Sequence, residues 1–335
     1  MTATPKSAAD KLKEQMALPL IAAPMFLISN PELALATCKE GVVGSFPALN
    51  QRTAADFEKW LVEMNDGIAE LKKNNPDKKI APYAVNLIVH KTNPRLEEDL
   101  DLIVKHKVPV IITSLGAVSD LVDKVHSYGG IVLHDVTNVE HAKKAIAAGV
   151  DGIIAVSAGA GGHAGTMNPM ALLHDIREVF DGIVVLAGGM TTGSDILAAE
   201  VMGADFAYMG TRFICTAESA AEPAYKQMII DAKATDIVYT SAVSGIPANF
   251  LKPSLEKAGF DAETLKKEGA TAAKLKPIMN EAAAWKTIWS AGQGVVNIDD
   301  TPTVAALIDR LKQEHDAAEQ KVIARKAAKP AGPKP

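Results

Sequence analysis

Short runs of aliphatic and β-branched residues recur through the first two thirds of the chain, and longer amphipathic stretches follow them. The runs at 18–25, 41–48, 80–88, 108–115, 130–136, 150–158, 182–189 and 205–211 read as strands. The segments 30–39, 53–73, 96–106, 118–128, 139–148 and 194–202 read as helices. Within 138–149, Val139, Ala142, Ala145 and Ile146 share one helical face and Gly149 supplies the stop. The strands are nearly continuously apolar (Val110, Ile111 and Ile112; Ile183, Val184, Val185 and Leu186), as in a parallel sheet covered by helices on both faces. Eight strand–helix pairs in the first 230 residues fit the α/β class as a TIM (β/α)8 barrel, a fold of about 250 residues. Periodicity does not by itself show closure, so a doubly wound open sheet is the alternative, and the strand count favours the barrel.

After Tyr225 the pattern changes. Two short strand-like pieces flank Gly245 and Pro247 within 236–252, and mixed helical segments follow to 283. The expected organisation is a barrel over 1–235, a lid or substrate subdomain over 236–284, and C-terminal helices over 285–324. The last of these, 303–324, is expected to pack back on the barrel. The tail 325–335 is Lys, Ala, Pro and Gly, with too little apolar surface to order.

Composition narrows the function classes. The 335 residues are 48% hydrophobic and 22% charged, enough to bury a sizeable core. A net charge of −5 leaves no basic footprint for nucleic acid or an anionic membrane. Two cysteines, Cys38 and Cys215, exclude a disulfide framework and a cysteine zinc site, and no metal is expected. Residues 1–15 lack the apolar core of a secretory signal, and 16–28 contains two prolines and falls short of the roughly 20 residues a membrane span needs. A soluble cytoplasmic protein is the expectation.

In a barrel, chemistry gathers at the C-terminal ends of the strands. Four ends stand out. At Ala22-Ala23-Pro24-Met25 the proline fixes φ beside small neighbours, so a flat aromatic ligand could approach the backbone; a routine strand end accounts for it equally. The sixth loop, 157–166, holds Gly159, Gly161, Gly162 and Gly165 around His163. Such a backbone presents N–H groups without Cβ obstruction, and a packed core histidine would hardly be surrounded by glycines. The other seven histidines lie in or beside ordinary helix and strand patterns. Ala187-Gly188-Gly189-Met190 and Met209-Gly210-Thr211-Arg212 end the seventh and eighth runs, where barrels commonly bind a phosphate; two tight βα turns are the alternative. The loose G-x-G-x-x-A match at 159–164 is set aside as a dinucleotide fingerprint. Five strands precede the one that leads into it, no helix pattern begins at Ala164, and a histidine would crowd a pyrophosphate.

Together, Ala23-Pro24-Met25, Val85-Asn86-Leu87, Ala160-Gly161-Gly162-His163, Leu186-Ala187-Gly188-Gly189 and Tyr208-Met209-Gly210-Thr211-Arg212-Phe213 resemble the nitronate monooxygenase (2-nitropropane dioxygenase) family, over roughly 16–300. The resemblance implies a TIM barrel with a smaller lid and non-covalent FMN. It also implies oxidation of alkyl nitronates, and by extension nitroalkanes, with O2 to a carbonyl compound and nitrite through an FMN semiquinone. The partners it implies are a small-molecule nitronate and O2.

Carried over, Ala23, Pro24 and Met25 lie against the isoalloxazine and Asn86 points at flavin or substrate. Gly161 and Gly162 line the cofactor. Ala187, Gly188, Gly189, Met209, Gly210 and Thr211 hold the phosphate end. His163 faces the substrate as hydrogen-bond donor or base. Family members often carry an acidic residue before Gly-Gly-His and an arginine after it, whereas the flanks here are neutral: Val156-Ser157-Ala158 and Ala164-Gly165. Some relatives carry a lysine at the end of the fifth strand, where this chain has His134-Asp135. Two alternatives stay open: an FMN-dependent NAD(P)H reductase of quinone reductase or enoyl-ACP reductase type, and a flavin-binding protein without turnover.

Overall fold

All eight apolar runs form strands, and all eight pair in parallel. The computed structural model describes residues 7–268 and 287–327, apart from 91, 115, 117, 118 and 244. The barrel strands are β1 (Leu20–Ala22), β2 (Gly44–Pro47), β3 (Tyr83–Ile88), β4 (Val110–Ser114), β5 (Ile131–Val136), β6 (Gly152–Val156), β8 (Ile183–Ala187) and β9 (Phe206–Met209). Their order is β1-β9-β8-β6-β5-β4-β3-β2. A parallel bridge between Ile21 and Val43 closes the ring, with Ala22 N–H donating to the Val43 carbonyl at 2.8 Å. A second, antiparallel sheet joins β7 (Gly162–His163), β10 (Ile237–Thr240) and β11 (Ala248–Leu251) in the order β10-β11-β7.

The helices start where side chains can take the free N–H groups. Asn30 caps α2 (Pro31–Lys39), Thr53 caps α3 (Ala54–Asn74) and Asn138 caps α6 (Val139–Ala147). Thr192 and Asp195 form a capping box on α8 (Gly193–Val201). Between them lie α4 (Leu96–Lys105), α5 (Ser119–His126) and α7 (Pro169–Arg177). The sequence shows no helix pattern beginning at Ala164, although eight strand–helix pairs require a helix between the sixth and seventh strands. In the structure α7 begins five residues beyond Ala164, behind an Asn168 cap and Pro169, so the barrel's alternation holds.

Strand side chains alternate between two layers. One set packs outward under the helices, and the other fills the barrel interior. Ile21, Val43, Ala84, Ile112, Leu133, Ile154, Val185 and Phe206 make that interior, and all are buried. The helix α1 (Ala8–Glu14), opened by a Ser7–Asp10 capping box, turns Ala9 and Leu12 into the same cluster, with Met16 just beyond, and plugs the N-terminal end. Among the described residues, the barrel interior is covered at its N-terminal end.

After the barrel come α9 (Thr211–Ile214), α10 (Pro223–Asp231), α11 (Lys252–Lys257) and α12 (Ala262–Glu268). The remainder of the helical stretch expected to 283 lies outside the described residues. Residues 288–298 cross the barrel mouth: Gln293 N–H donates to the Gly159 carbonyl at 2.9 Å, and Gly292 N–H to Thr211 Oγ1 at 2.9 Å. The final helix α13 (Val304–Ala327) packs on α8 and α2. Gly193 of α8 lies so close to Leu311 and His315 that a Cβ there would fall 2.0 Å from the Leu311 carbonyl. The helix runs past 324, because Arg325, Lys326 and Ala327 are good helix formers; 328–335 lie outside the described residues.

Cys38 and Cys215 are both buried and free, and burial pushes their thiols up to about 12 and about 11. Among the described residues no helix is long and apolar enough to cross a membrane, and no cluster of side chains could hold a metal ion.

Candidate functional site

The C-terminal strand ends open into a cavity of about 930 Å3. Its floor is the top layer of the barrel interior: Asn86 of β3, Ser114 of β4, Asp135 of β5, Val156 of β6, Ala187 of β8 and Tyr208 of β9. Alternation along each strand puts these six one step above the apolar interior. One side of the floor, Asn86, Ser114 and Asp135, is polar, and the other, Val156 and Ala187, is apolar.

The wall after β1 is Ala23-Pro24-Met25. It is fixed from behind: Ala23 N–H donates to the Met209 carbonyl at 2.9 Å, Met25 N–H donates to Ser29 Oγ at 2.9 Å, and Asn50 Nδ2 donates to the Ser29 carbonyl at 2.7 Å. The strand therefore ends in a small, apolar, rigid surface.

At the tips of β8 and β9 the backbone comes to the cavity surface. Gly189 has φ +72°, and a Cβ built on it meets no protein atom within 4 Å. That left-handed conformation favours glycine, and the space over it is open. Gly188, Gly210 and Thr211 line the same edge. The start of α8 offers less than the sequence suggested. Asp195 takes the N–H groups of Thr191 and Thr192 at 2.9 Å, and Glu314 takes that of Gly193 at 2.7 Å. The glycine tips beside it present further backbone to an anion.

The sixth loop is held at its centre by strand pairing. Gly162 and His163 form β7, paired with Asn249 and Ala248 of β11. Asn249 Nδ2 donates to the Ala160 carbonyl at 2.7 Å, and Tyr239 Oη donates to the Ala164 carbonyl at 3.2 Å. Gly161 has a packing reason: Gly292 comes so close that a Cβ on Gly161 would fall 2.8 Å from its nitrogen. His163 is half-buried and lines the cavity from this edge.

On the polar side, Asn86 Nδ2 donates to Ser114 Oγ at 3.1 Å and to the Ile112 carbonyl at 3.2 Å. Ser114 Oγ in turn donates to Asp135 Oδ2 at 2.7 Å. Asp135 Oδ1 is enclosed and without a hydrogen bond. Burial pushes this carboxyl up to about 6, against the pull of the Ser114 hydroxyl. Burial and the nearby Asp135 charge hold the Tyr208 phenol far above its ordinary range. His134 faces away, paired with Thr113 Oγ1 at 2.7 Å, and burial lowers it to about 4, so it is neutral at physiological pH.

Of the residues singled out from the sequence, the structure brings Ala23, Pro24, Met25, Asn86, Gly161, Gly162, His163, Ala187, Gly188, Gly189, Gly210 and Thr211 to this one cavity. Met209 is the exception. Its place on β9 turns the side chain outward into the core, and its carbonyl serves Ala23 rather than the cavity. Sequence reasoning missed Ser114 and Tyr208, and passed over Asp135. It also missed the crossing segment, where Trp289, Ser290, Gly292 and Gly294 line the cavity and Trp289 stacks on Tyr225 with centroids 4.8 Å apart. The inward register of β4 and β9 was a usable signal for the first two; nothing local marks the segment.

Comparison with known proteins agrees with the fold. The family model described as nitronate monooxygenase matches residues 9–314. A nitronate monooxygenase of Paraburkholderia phytofirmans is 27% identical over 284 residues, covering 72% of this chain and 76% of its own. A (3aS,4S,5R,7aS)-5-hydroxy-7a-methyl-1-oxo-octahydro-1H-indene-4-carboxyl-CoA dehydrogenase of Rhodococcus jostii is 26% identical, covering 87% of this chain and 90% of its own. In fold, the chain is similar to FabK from Thermotoga maritima, with a TM-score of 0.76 at 24% identity over 96% of this chain and 100% of that one.

Proposed function

Because the chain belongs to the nitronate monooxygenase family, whose members are flavin-dependent oxidoreductases, we propose that it binds FMN across the barrel mouth and oxidises alkyl nitronates with O2 to a carbonyl compound and nitrite. The observation that carries this reading is the placement of His163. A strand pairing holds it at the rim of a cavity whose other edges are a rigid apolar wall and open glycine tips.

The residues present fit a flavin mononucleotide. The space over Gly189, with Gly188, Gly210 and Thr211 beside it, suits a phosphate that accepts from backbone N–H groups. Ala23-Pro24-Met25 offers a flat ring a surface without protruding polar groups. Bound FMN would supply the electron acceptor and the reaction with O2; the chain supplies placement and electrostatics. His163 would donate a hydrogen bond to the nitro oxygens of the anionic substrate, or take the α-proton of a neutral nitroalkane at its imidazole nitrogen. The sheet β10-β11-β7, whose strands β10 and β11 belong to the segment 236–284 that we read as a lid, would keep water from that face and fix the imidazole's approach.

The test is oxygen consumption with propionate 3-nitronate, alongside a His163→Asn variant. That variant is expected to keep its flavin and lose about 10²–10⁴-fold in kcat/KM, the range of a lost acid–base or hydrogen-bonding group. Undiminished turnover would remove His163 from the reaction.

The cavity's size favours one second reading. About 930 Å3 is near the top of the ~300–1,000 Å3 range of ligand pockets. An FMN-dependent NAD(P)H reductase of quinone or enoyl-thioester type would use that space. Anaerobic mixing with NADH separates the two, since rapid bleaching of the flavin supports the reductase.

A further inference from the structure

The flavin reading leaves the polar half of the cavity floor without a task. In the ring of strands, β8 and β9 stand across the barrel from β3 and β4, and β5 is the neighbour of β4. A cofactor whose phosphate sits at the tips of β8 and β9 must carry its ring toward the opposite tips. There it meets Asn86, Ser114 and Asp135 on three consecutive barrel strands, joined in one hydrogen-bonded chain. An isoalloxazine has one edge of methyl groups and one edge, the pyrimidine, with an N–H donor between two carbonyl acceptors. Buried polar atoms require partners, so the polar edge belongs on the polar side. Asp135 is the acceptor with capacity to spare: Oδ2 takes the Ser114 hydroxyl and Oδ1 has no partner.

Resting on the flavin reading, we propose that Asp135 receives the pyrimidine edge of the bound ring and makes that ring harder to reduce. The second half of the statement follows from charge. Reduction places negative charge on the pyrimidine side, and a carboxylate there opposes it. The groups facing Asp135 do not offset this effect. Ser114 comes from β4, Asn86 stands behind it on β3, and Tyr208 faces it from β9 with a phenol that stays protonated. His134, the next residue on β5, is neutral and turned to Thr113, with His141 beyond it. Burial and the Ser114 hydroxyl set the state of this carboxyl, and neither brings a positive charge. Asp135 is thus a positioning and tuning residue, and the measurements that report it are potentials rather than rates.

The experiment is an FMN titration followed by a midpoint-potential measurement against reference dyes and a sulfite titration, on the wild type and Asp135→Asn. The amide keeps the shape and removes the charge. Asp135→Asn is expected to bind FMN and to raise the reduced-to-oxidised ratio about tenfold at fixed ambient potential, about 30 mV for a two-electron couple. Its anionic sulfite adduct should tighten in parallel. If Asp135→Asn fails to fold, Ser114→Ala serves: losing the hydrogen bond that favours the anion should shift potential and sulfite affinity in the same direction, by less. Bound FMN with unchanged potential and sulfite affinity in the variant would overturn this inference alone. A wild type that takes up no FMN would overturn the flavin reading beneath it.

Discussion

Replacing Gly189 by alanine separates the cost of a backbone conformation from the cost of filling the space above it. The residue has φ +72°, and its Cβ would touch no protein atom. The methyl therefore brings no clash, and the stability loss is the left-handed penalty of about 1–2 kcal/mol. Gly203, with φ +104° and a Cβ equally free of contacts, precedes β9 at the plugged end of the barrel. Gly203→Ala pays a comparable penalty far from the cavity. Both variants should lose a few degrees of Tm. Only Gly189→Ala places a methyl where a phosphate oxygen would accept from the backbone. Losing one charge-assisted hydrogen bond there costs about 1.5–3 kcal/mol, which raises the FMN Kd roughly 10- to 150-fold. Flavin fluorescence quenching gives both constants. Equal Kd for wild type, Gly189→Ala and Gly203→Ala would show that the phosphate is held elsewhere.

Two further predictions concern stability. The Asp135 carboxyl, at about 6 in the fold against 3.8 as its ordinary value, binds its proton more tightly folded than unfolded. Its contribution is therefore full below pH 4 and is lost as pH rises through 6. Flavin-free Asp135→Asn should be more stable than wild type at pH 7 by about 3 kcal/mol, with the gap closing toward pH 4; a gap that ignores pH would contradict this. Separately, Arg212 is 2% exposed, and its guanidinium donates to Asp300 Oδ1 at 2.7 Å. Asp300→Ala strands that buried charge and should cost about 3 kcal/mol in urea unfolding, whereas Arg212→Met removes the charge and should cost less. The reverse order would refute the ranking.

The barrel was legible because its strands are buried on both faces and each is closed off by turn or cap residues. The run Val110-Ile111-Ile112 and the Asn138 cap of α6 needed no tertiary knowledge. The glycine tips and His163 were legible because their composition is unusual for a helix or strand. What could not be read was long-range. The pairing of His163 with Ala248 depends on a strand 85 positions later, and it turns a glycine-rich loop into a fixed edge. Trp289 and Gly292 reach the site only because residues 288–298 return across the mouth. Met209 was misplaced for a simpler reason: in a period of two, it and Tyr208 cannot both face the cavity, and the motif names both.

The most direct test of the account is the visible spectrum of the purified protein, read before and after heat release of any bound cofactor. A yellow protein that releases FMN, or a colourless one whose added FMN shows the shifted spectrum of a bound ring, is the predicted result. A colourless protein that leaves the spectrum and fluorescence of added FMN unchanged would contradict the account.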